Sequence, residues 1–239
     1  MTILITGANG FLGNALVQEL RTQSKSVRGA VRLVDADKVN GSNVAVGDIN
    51  IDTSWDEALD GVSTVVHCAA RVHVMNDTIA ESLSLYREVN VLATLNLARQ
   101  AINAGVKRFI FLSSIKVNGE STIRGKPFLY NDAITTEDPY AISKYEAELG
   151  LRDISNKTGL EVVIIRPPLI YGPGVKGNFK NLMGLMMSGL PLPFGAIRNR
   201  RSFIFSKNLT NNLADKSCTN IGFDPLKDSL ILKTSLFSS

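Results

Sequence analysis

Ile3-Leu4-Ile5-Thr6-Gly7-Ala8-Asn9-Gly10-Phe11-Leu12-Gly13 is the stretch that decides the fold. An apolar run ends at a glycine. Helical spacing then begins at Phe11 and continues to Gln23, with Phe11, Leu12, Ala15, Leu16 and Leu20 available to one face. Gly7, Gly10 and Gly13 stand at a spacing one residue longer in its first step than the G-x-G-x-x-G of strand–turn–helix phosphate sites. Glycine permits the tight turn and lets the backbone approach a phosphate, while the first helical turn offers unpaired N–H groups to it. Taken alone, such a loop is also compatible with a glycine-rich turn that holds nothing. Its position at the first strand–helix junction favours a cradle for a dinucleotide pyrophosphate.

Outward from this loop, strand-like and helix-like stretches alternate. Thr2–Thr6, Val27–Leu33, Asn43–Val46, Val62–Val66, Phe109–Leu112 and Val162–Ile165 read as six strands. Helices are expected at 11–23, about 80–104 and 139–156, the last with Pro139 in its first turn. The alternation predicts an α/β fold: a doubly wound, Rossmann-like parallel sheet whose ligands bind beyond the carboxyl ends of the strands. Gly7, Asp48, Cys68 to Arg71, Ser113, Ser114 and Pro167 all fall at such ends. After Tyr171 the texture changes. Gly172-Pro173-Gly174 and Pro191-Leu192-Pro193 break the pattern, with one helix-like segment between them, Phe179 to Met187. Residues 1–170 are therefore expected to form the dinucleotide-binding domain and 171–239 a partial substrate-binding lobe.

The chain of 239 residues is 44% hydrophobic, enough for a sizeable core. Its 26 basic and 22 acidic residues leave a net charge of +4, too small and dispersed to suggest a nucleic-acid partner but suited to a mildly basic pocket for an anion. Cys68 and Cys218 form no C-x-x-C pattern, and His67 and His73 cannot make a metal cluster alone, so neither a disulfide framework nor a metal site is expected. No signal peptide is visible and no apolar run is long enough to span a bilayer, which makes a cytoplasmic compartment the expectation.

The chemistry-bearing segment is Tyr140-Ala141-Ile142-Ser143-Lys144. It places a phenol and an ammonium one helical turn apart on one face. A tyrosine is too weakly acidic to act as a base near neutral pH, and a neighbouring ammonium favours its phenolate. Lys144 supplies that charge and can also hold the ribose of a nicotinamide. Ser113 and Ser114, after the fifth strand, are candidates for the hydroxyl that orients a substrate oxygen. The combination suggests hydride transfer at a carbinol or ketone.

The end of the second strand distinguishes NAD from NADP: an acidic residue there grips the ribose hydroxyls. Here the strand ends Gly29-Ala30-Val31-Arg32, with Arg28 nearby and Asp35 slightly too late in the turn. Arg32 is either a solvated arginine or a contact for a 2′-phosphate. The cofactor is NAD or NADP, with NADP favoured by Arg32.

Six segments taken in order resemble one family. They are the Gly7–Gly13 loop, Gly47-Asp48-Ile49, His67-Cys68-Ala69-Ala70-Arg71, Asn90, Phe111-Leu112-Ser113-Ser114-Ile115-Lys116-Val117-Asn118-Gly119, and Arg166-Pro167-Pro168-Leu169-Ile170-Tyr171-Gly172-Pro173-Gly174. Over about residues 1 to 212 the chain resembles the extended short-chain dehydrogenase/reductases of the NAD(P)-dependent epimerase/dehydratase family. It is most similar in pattern to the UDP-glucose 4-epimerase-like members of bacterial surface-polysaccharide synthesis. The resemblance implies that Ser114, Tyr140 and Lys144 are catalytic. It implies that Gly7, Gly10, Phe11, Leu12, Gly13, Asp48, Ile49, Ala69, Ala70, Arg71 and Pro167 lie along the cofactor, with Tyr140 and Lys144. Asn90 would brace the central helix. Arg201, and less directly Asn178, would join Ser114 in holding the nucleotide-sugar substrate. Family members often dimerise through the two long helices, which makes a homodimer the expected assembly.

For several residues a plain structural reading stands beside the functional one. His67 and Cys68 read as packing residues, and His73 as a loop residue. Met183, Met186 and Met187 read as core. Arg198, Arg200 and Arg201 form either a solvated face or a diphosphate clamp. Lys116 either approaches the substrate or lies on the surface. The similarity fades after Ser206-Lys207-Asn208-Leu209-Thr210, and the tail from Leu213 is read as a truncated or frame-altered C-terminus. The function implied is that of a nucleotide-sugar, UDP-hexose 4-epimerase working through a 4-keto intermediate. The alternatives are an NADPH-dependent reductase of nucleotide-4-keto-sugars and a dinucleotide-binding protein without turnover.

Overall fold

Long apolar runs with no polar alternation are the mark of strands buried on both faces, and these runs become the strands of one parallel sheet. A computed structural model describes residues 1–33, 43–72, 79–123, 125–129, 131–132, 134, 136–175, 184, 187, 201–218 and 230–231. The sheet contains β1 (Thr2–Thr6), β2 (Ser26–Val31), β3 (Asn43–Ala45), β4 (Val62–His67), β5 (Arg108–Leu112), β6 (Glu161–Arg166) and β9 (Leu230–Ile231). Its order is β3-β2-β1-β4-β5-β6-β9, and every pairing is parallel. All seven carboxyl ends therefore lie along one edge, and the order reverses between β1 and β4. A separate pair, β7 (Leu169–Tyr171) and β8 (Phe203–Phe205), forms a small parallel sheet.

Side chains alternate between two cores. Leu4, Val65, Phe109, Phe111, Val162 and Ile164 point to one face, where they meet α2 (Asp56–Leu59), α4 (Ala93–Asn103) and α5 (Pro139–Thr158). Ile3, Ile5, Val66, Ile110, Leu112, Val163 and Ile165 point to the other, under α1 (Phe11–Thr22) and α6 (Ser206–Cys218). In α1 the buried residues Gly13, Leu16, Val17 and Leu20 recur at helical spacing. The helix α5 starts at an Asp138 cap followed by Pro139 and ends at Gly159, whose φ of 76° closes it in the left-handed conformation.

Several boundaries differ from the sequence expectation. β2 stops at Val31, and Leu33 beyond it is 77% exposed. The helix expected at 80–104 is three pieces: α3 (Ile79–Tyr86), a π-helical turn (Arg87–Leu92) and α4. Among the described residues the main sheet has seven strands rather than six, because Leu230 and Ile231 pair with Ile165 and Arg166. The first residues of the tail are helical and packed: Leu213, Ala214 and Ser217 of α6 are buried. The helix expected over 179–187 falls outside the described residues except at Gly184 and Met187. Met187 is 83% exposed and does not join the core. Among the described residues, no helix is long and apolar enough to cross a membrane.

Candidate active site

The glycine loop after β1 is a cradle that side chains cannot enter. Gly7 has φ +63°, and a Cβ there would sit 3.1 Å from both the Cα and the amide nitrogen of Ala69. A Cβ on Gly13 would fall 2.1 Å from the Gly7 carbonyl oxygen, closer than any real contact. Gly10 N donates to that same oxygen at 2.8 Å, which tightens the turn. Gly10 caps α1 without offering a side chain, so the N–H groups of the first turn keep their capacity for an outside acceptor. Phe11 and Leu12 open this turn, both half-buried. These residues fit the pyrophosphate of a dinucleotide: the site has close backbone approach, unpaired donors and the positive end of a helix.

The loop is anchored to the next strands. Ala69 N donates to Thr6 Oγ1 at 3.1 Å, and that hydroxyl meets His67 Nδ1 at 2.8 Å. The other His67 nitrogen, Nε2, meets Thr94 Oγ1 at 2.9 Å. His67 is thus a packed residue satisfied at both nitrogens, and burial, with a smaller push from the Lys144 charge, takes its pKa down to about 3. Beyond it, Asn90 Oδ1 accepts from Arg71 N at 2.9 Å while Asn90 Nδ2 donates to Ser143 Oγ at 3.0 Å. Ser143 Oγ in turn donates to the Tyr140 carbonyl at 2.7 Å. Asn90 sits in the π-helical turn, 1% exposed, and so ties the Ala69–Arg71 segment to the start of α5.

The structure separates the two serines. Ser113 is buried and donates to Glu148 Oε1 at 2.5 Å. Glu148 is held by Arg166 through Nε at 2.9 Å and Nη2 at 2.5 Å, and Arg166 Nη1 donates to Asn118 Oδ1 at 3.0 Å. Ser113 is therefore consumed by an internal network. Ser114 is half-exposed and caps a short 3₁₀ turn (Ile115–Val117), accepting from Lys116 N at 3.3 Å. Ile115 N donates to the buried Pro167 carbonyl at 3.0 Å, which stitches the serine turn to the end of β6.

Tyr140 lies in the first turn of α5, edge-on to Tyr86 with ring centroids 5.9 Å apart. Burial, then the Asp138 carboxylate and Tyr86, push its phenol up to about 12. This direction is opposite to the one expected from the Tyr–Lys spacing: burial dominates, and Lys144, directed elsewhere, does not offset it. Its Nζ donates to the Leu112 carbonyl at 2.8 Å and lies 4.5 Å from the Phe111 ring centroid, against 6.0 Å for that of Tyr140. Burial lowers the ammonium to about 8, opposed by Cys68 and Glu148. Cys68 is half-buried, and burial raises its thiol to about 12 against the pull of Lys144, leaving it a poor nucleophile.

At the far end of the edge, Arg32 Nε and Asp48 Oδ1 form an ion pair of 2.6 Å with both side chains open to solvent. Arg28 does not share this role, because its Nη1 donates to the carbonyls of Glu57, Ala58 and Asp60 at the end of α2. Ile49 is half-buried against the first core. Arg201 is exposed, two residues before β8. Asn178, His73, Met183, Met186, Arg198 and Arg200 lie outside the described residues. Among the described residues, no group of three or more His, Cys, Asp or Glu is arranged for a metal. Sequence reasoning missed Asp138, Glu148 and Arg166. The first had a signal in Asp-Pro opening a helix, and the second in a carboxylate on the buried stripe one turn beyond Lys144.

Comparisons with known proteins agree with this architecture. Residues 3–213 match the NAD dependent epimerase/dehydratase family. The chain is 52% identical over 212 residues to UDP-glucose 4-epimerase of Vibrio cholerae, covering 88% of this chain and 64% of that protein. It is 32% identical over 216 residues to N-acetyl-alpha-D-glucosaminyl-diphospho-ditrans,octacis-undecaprenol 4-epimerase of Escherichia coli O157:H7, covering 87% and 60%. The chain thus spans less than two thirds of the length of these curated relatives. Among solved structures, MoeE5 in complex with UDP-glucose and NAD superposes with a TM-score of 0.74 at 26% identity, covering 91% of this chain and 72% of that one. With a family match over residues 3–213 and 52% identity to a curated relative over 212 residues, the chain belongs to the NAD dependent epimerase/dehydratase family.

Proposed function

We propose that this protein is a nucleotide-sugar 4-epimerase acting on a UDP-hexose. The observation that carries the reading is the convergence of three elements at one sheet edge: the glycine cradle, the half-exposed Ser114 and the Tyr140–Lys144 turn. The 52% identity to a UDP-glucose 4-epimerase supports the choice of substrate class.

In this reading Ser114 Oγ donates to the C4 oxygen and orients it. The phenolic oxygen of Tyr140 takes the C4 hydroxyl proton and returns it at the end of the cycle. Lys144, one helical turn from Tyr140, supplies the positive charge that stabilises the phenolate against the burial that raises its pKa. A nicotinamide held by these residues would supply a reversible hydride acceptor for C4, so that the 4-keto sugar could be reduced from either face. Gly7, Gly10, Phe11, Leu12 and Gly13 would hold the pyrophosphate. Arg32, Asp48 and Ile49 would hold the adenosine half, and Ala69, Ala70, Arg71 and Pro167 would line the remainder. A substrate lobe drawn from residues 171–239, with Arg201 and Asn178 toward the diphosphate, belongs to the same proposal. So does a homodimer through the long helices, where Leu92 and Leu149 are 43% and 48% exposed.

Arg32 at the end of β2 favours a second reading, an NADPH-dependent reductase of nucleotide-4-keto-sugars. Mass spectrometry of nucleotide released from the purified protein, followed by incubation with UDP-glucose, separates the two. Retained NAD with interconversion of UDP-glucose and UDP-galactose supports the epimerase. Release of NADP with no interconversion sinks it in favour of the reductase.

A further inference from the structure

We propose that the Lys116–Asp138 ion pair is a clamp that joins the Ser114 turn to the first turn of the Tyr140 helix and sets the charge beside the phenol. Lys116 Nζ lies 2.5 Å from Asp138 Oδ2. Lys116 follows Ser114 by two residues, and its backbone N–H donates to Ser114 Oγ. Asp138 precedes Tyr140 by two residues, and its Oδ1 accepts from the backbone N–H groups of Tyr140 at 2.9 Å and Ala141 at 3.3 Å. The two carboxylate oxygens thus divide the work, Oδ1 starting the helix and Oδ2 holding the serine turn. The Asp138 side chain is 15% exposed and that of Lys116 is 43% exposed, so the bridge is partly sheltered from solvent.

A helix cap does not require a charge, since serine, threonine and asparagine serve as well. An aspartate two residues before a phenol that must ionise is electrostatically costly, because a negative neighbour disfavours the phenolate. Lys116 offsets that cost while fixing the distance between the two elements. Burial raises the Asp138 carboxyl, but Lys116 and the two backbone donors outweigh it and hold the group below its ordinary value, so it is ionised at neutral pH. The phenol feels the Asp138 carboxylate that caps its helix and Tyr86 on α3, Lys144 Nζ lies 6.0 Å from its ring centroid, and Lys116 on the serine turn acts on it through Asp138. Cys68 at the end of β4 and Glu148 on α5 act on Lys144.

The inference rests on Tyr140 as the base, and its test is independent of turnover. The full chain is prepared with 3-fluorotyrosine, whose ring fluorine makes the phenol more acidic, and ¹⁹F resonances are followed against pH. Tyr140→Phe assigns one signal among the 5 tyrosines. Asp138→Asn keeps the cap and removes the charge, so the Tyr140 midpoint should fall by about half a pH unit or more. Lys116→Met leaves the carboxylate unpaired, so the midpoint should rise by a similar amount, and Lys116→Arg should restore the wild-type value. The pH profile of kcat should move in the same directions. If the two variants shift the midpoint the same way, or neither moves it, the clamp is wrong. Should Asp138→Asn fail to fold, the Lys116→Met and Lys116→Arg pair decides alone. Absence of turnover in the wild type would instead overturn the reading of Tyr140 as the base and leave the titration result standing.

Discussion

The Lys144 ammonium donates to the carbonyl oxygen of Leu112, 2.8 Å away, from a side chain 2% exposed. A charge buried this far is destabilising unless it is well partnered, and one carbonyl with the face of the Phe111 ring does not outweigh the burial, which lowers the ammonium to about 8. Lys144→Met should therefore leave the fold as stable as the wild type or more so, while lowering turnover of UDP-glucose by roughly 10²-fold or more, the scale of lost proton-transfer assistance. Thermal melts beside an epimerisation assay check both halves. A variant that melts early and stays active would overturn this expectation. The stability effect has a defined sign with pH: the folded pKa lies at about 8 against 10.5 when unfolded, so the burden of Lys144 is full below pH 8 and is relieved as pH rises toward 10.5.

Glu148 and Arg166 form a bidentate pair at 0% and 3% side-chain exposure, with Ser113 and Asn118 completing it. Removing one partner strands the other. Arg166→Met or Glu148→Ala should each cost about 3–5 kcal/mol in urea unfolding, whereas the double replacement of both by apolar residues should recover much of that loss. Equal and additive losses in the double variant would show that the pair is not coupled.

His67 is neutral in the folded state down to about pH 3, against 6.5 when unfolded. Its folded pKa is depressed, so the unfolded chain binds the extra proton first. The associated stability is full above pH 6.5 and is lost as pH falls toward 3. His67→Gln should flatten the stability curve over that window, as read by denaturant titrations at several pH values. An unchanged slope would mean that carboxylates alone govern acid unfolding.

Arg32 and Asp48 neutralise each other in the open, 2.6 Å apart. Asp48→Asn should free the guanidinium for a 2′-phosphate and raise affinity for NADP over NAD by about fivefold to tenfold, on the scale of one charge-assisted contact. Arg32→Ala should remove any preference for NADP. Calorimetric titration with both dinucleotides reads the ratio; if neither variant alters it, Arg32 takes no part in choosing the cofactor.

Much of this arrangement was legible because it is local. The strand–glycine–helix opening, the buried runs of β4, β5 and β6, and the Tyr140–Lys144 spacing are each contained within a few residues, and chain geometry leaves them little choice. The π-helical turn at Asn90 was not legible, since its neighbours have ordinary helical composition and only the bonds to Arg71 and Ser143 explain the bulge. The packing of α6 against α1 was missed for a different reason: its apolar residues, Leu209, Leu213 and Ala214, stand at helical spacing but are few in a largely polar segment.

By itself, the sequence determined the parallel sheet, the cradle at Gly7–Gly13 and the residue types gathered along its carboxyl edge. Periodicity and turn chemistry act over one or two turns of chain. Only the tertiary structure decided which serine stays open, where Lys144 points, and which charges answer each other. Ser113 meets Glu148 across 35 residues, Thr6 meets His67 across 61 and Lys116 meets Asp138 across 22. Those partners meet only when the parallel crossovers bring distant strand and helix ends together at the same edge, and burial there then sets their charge.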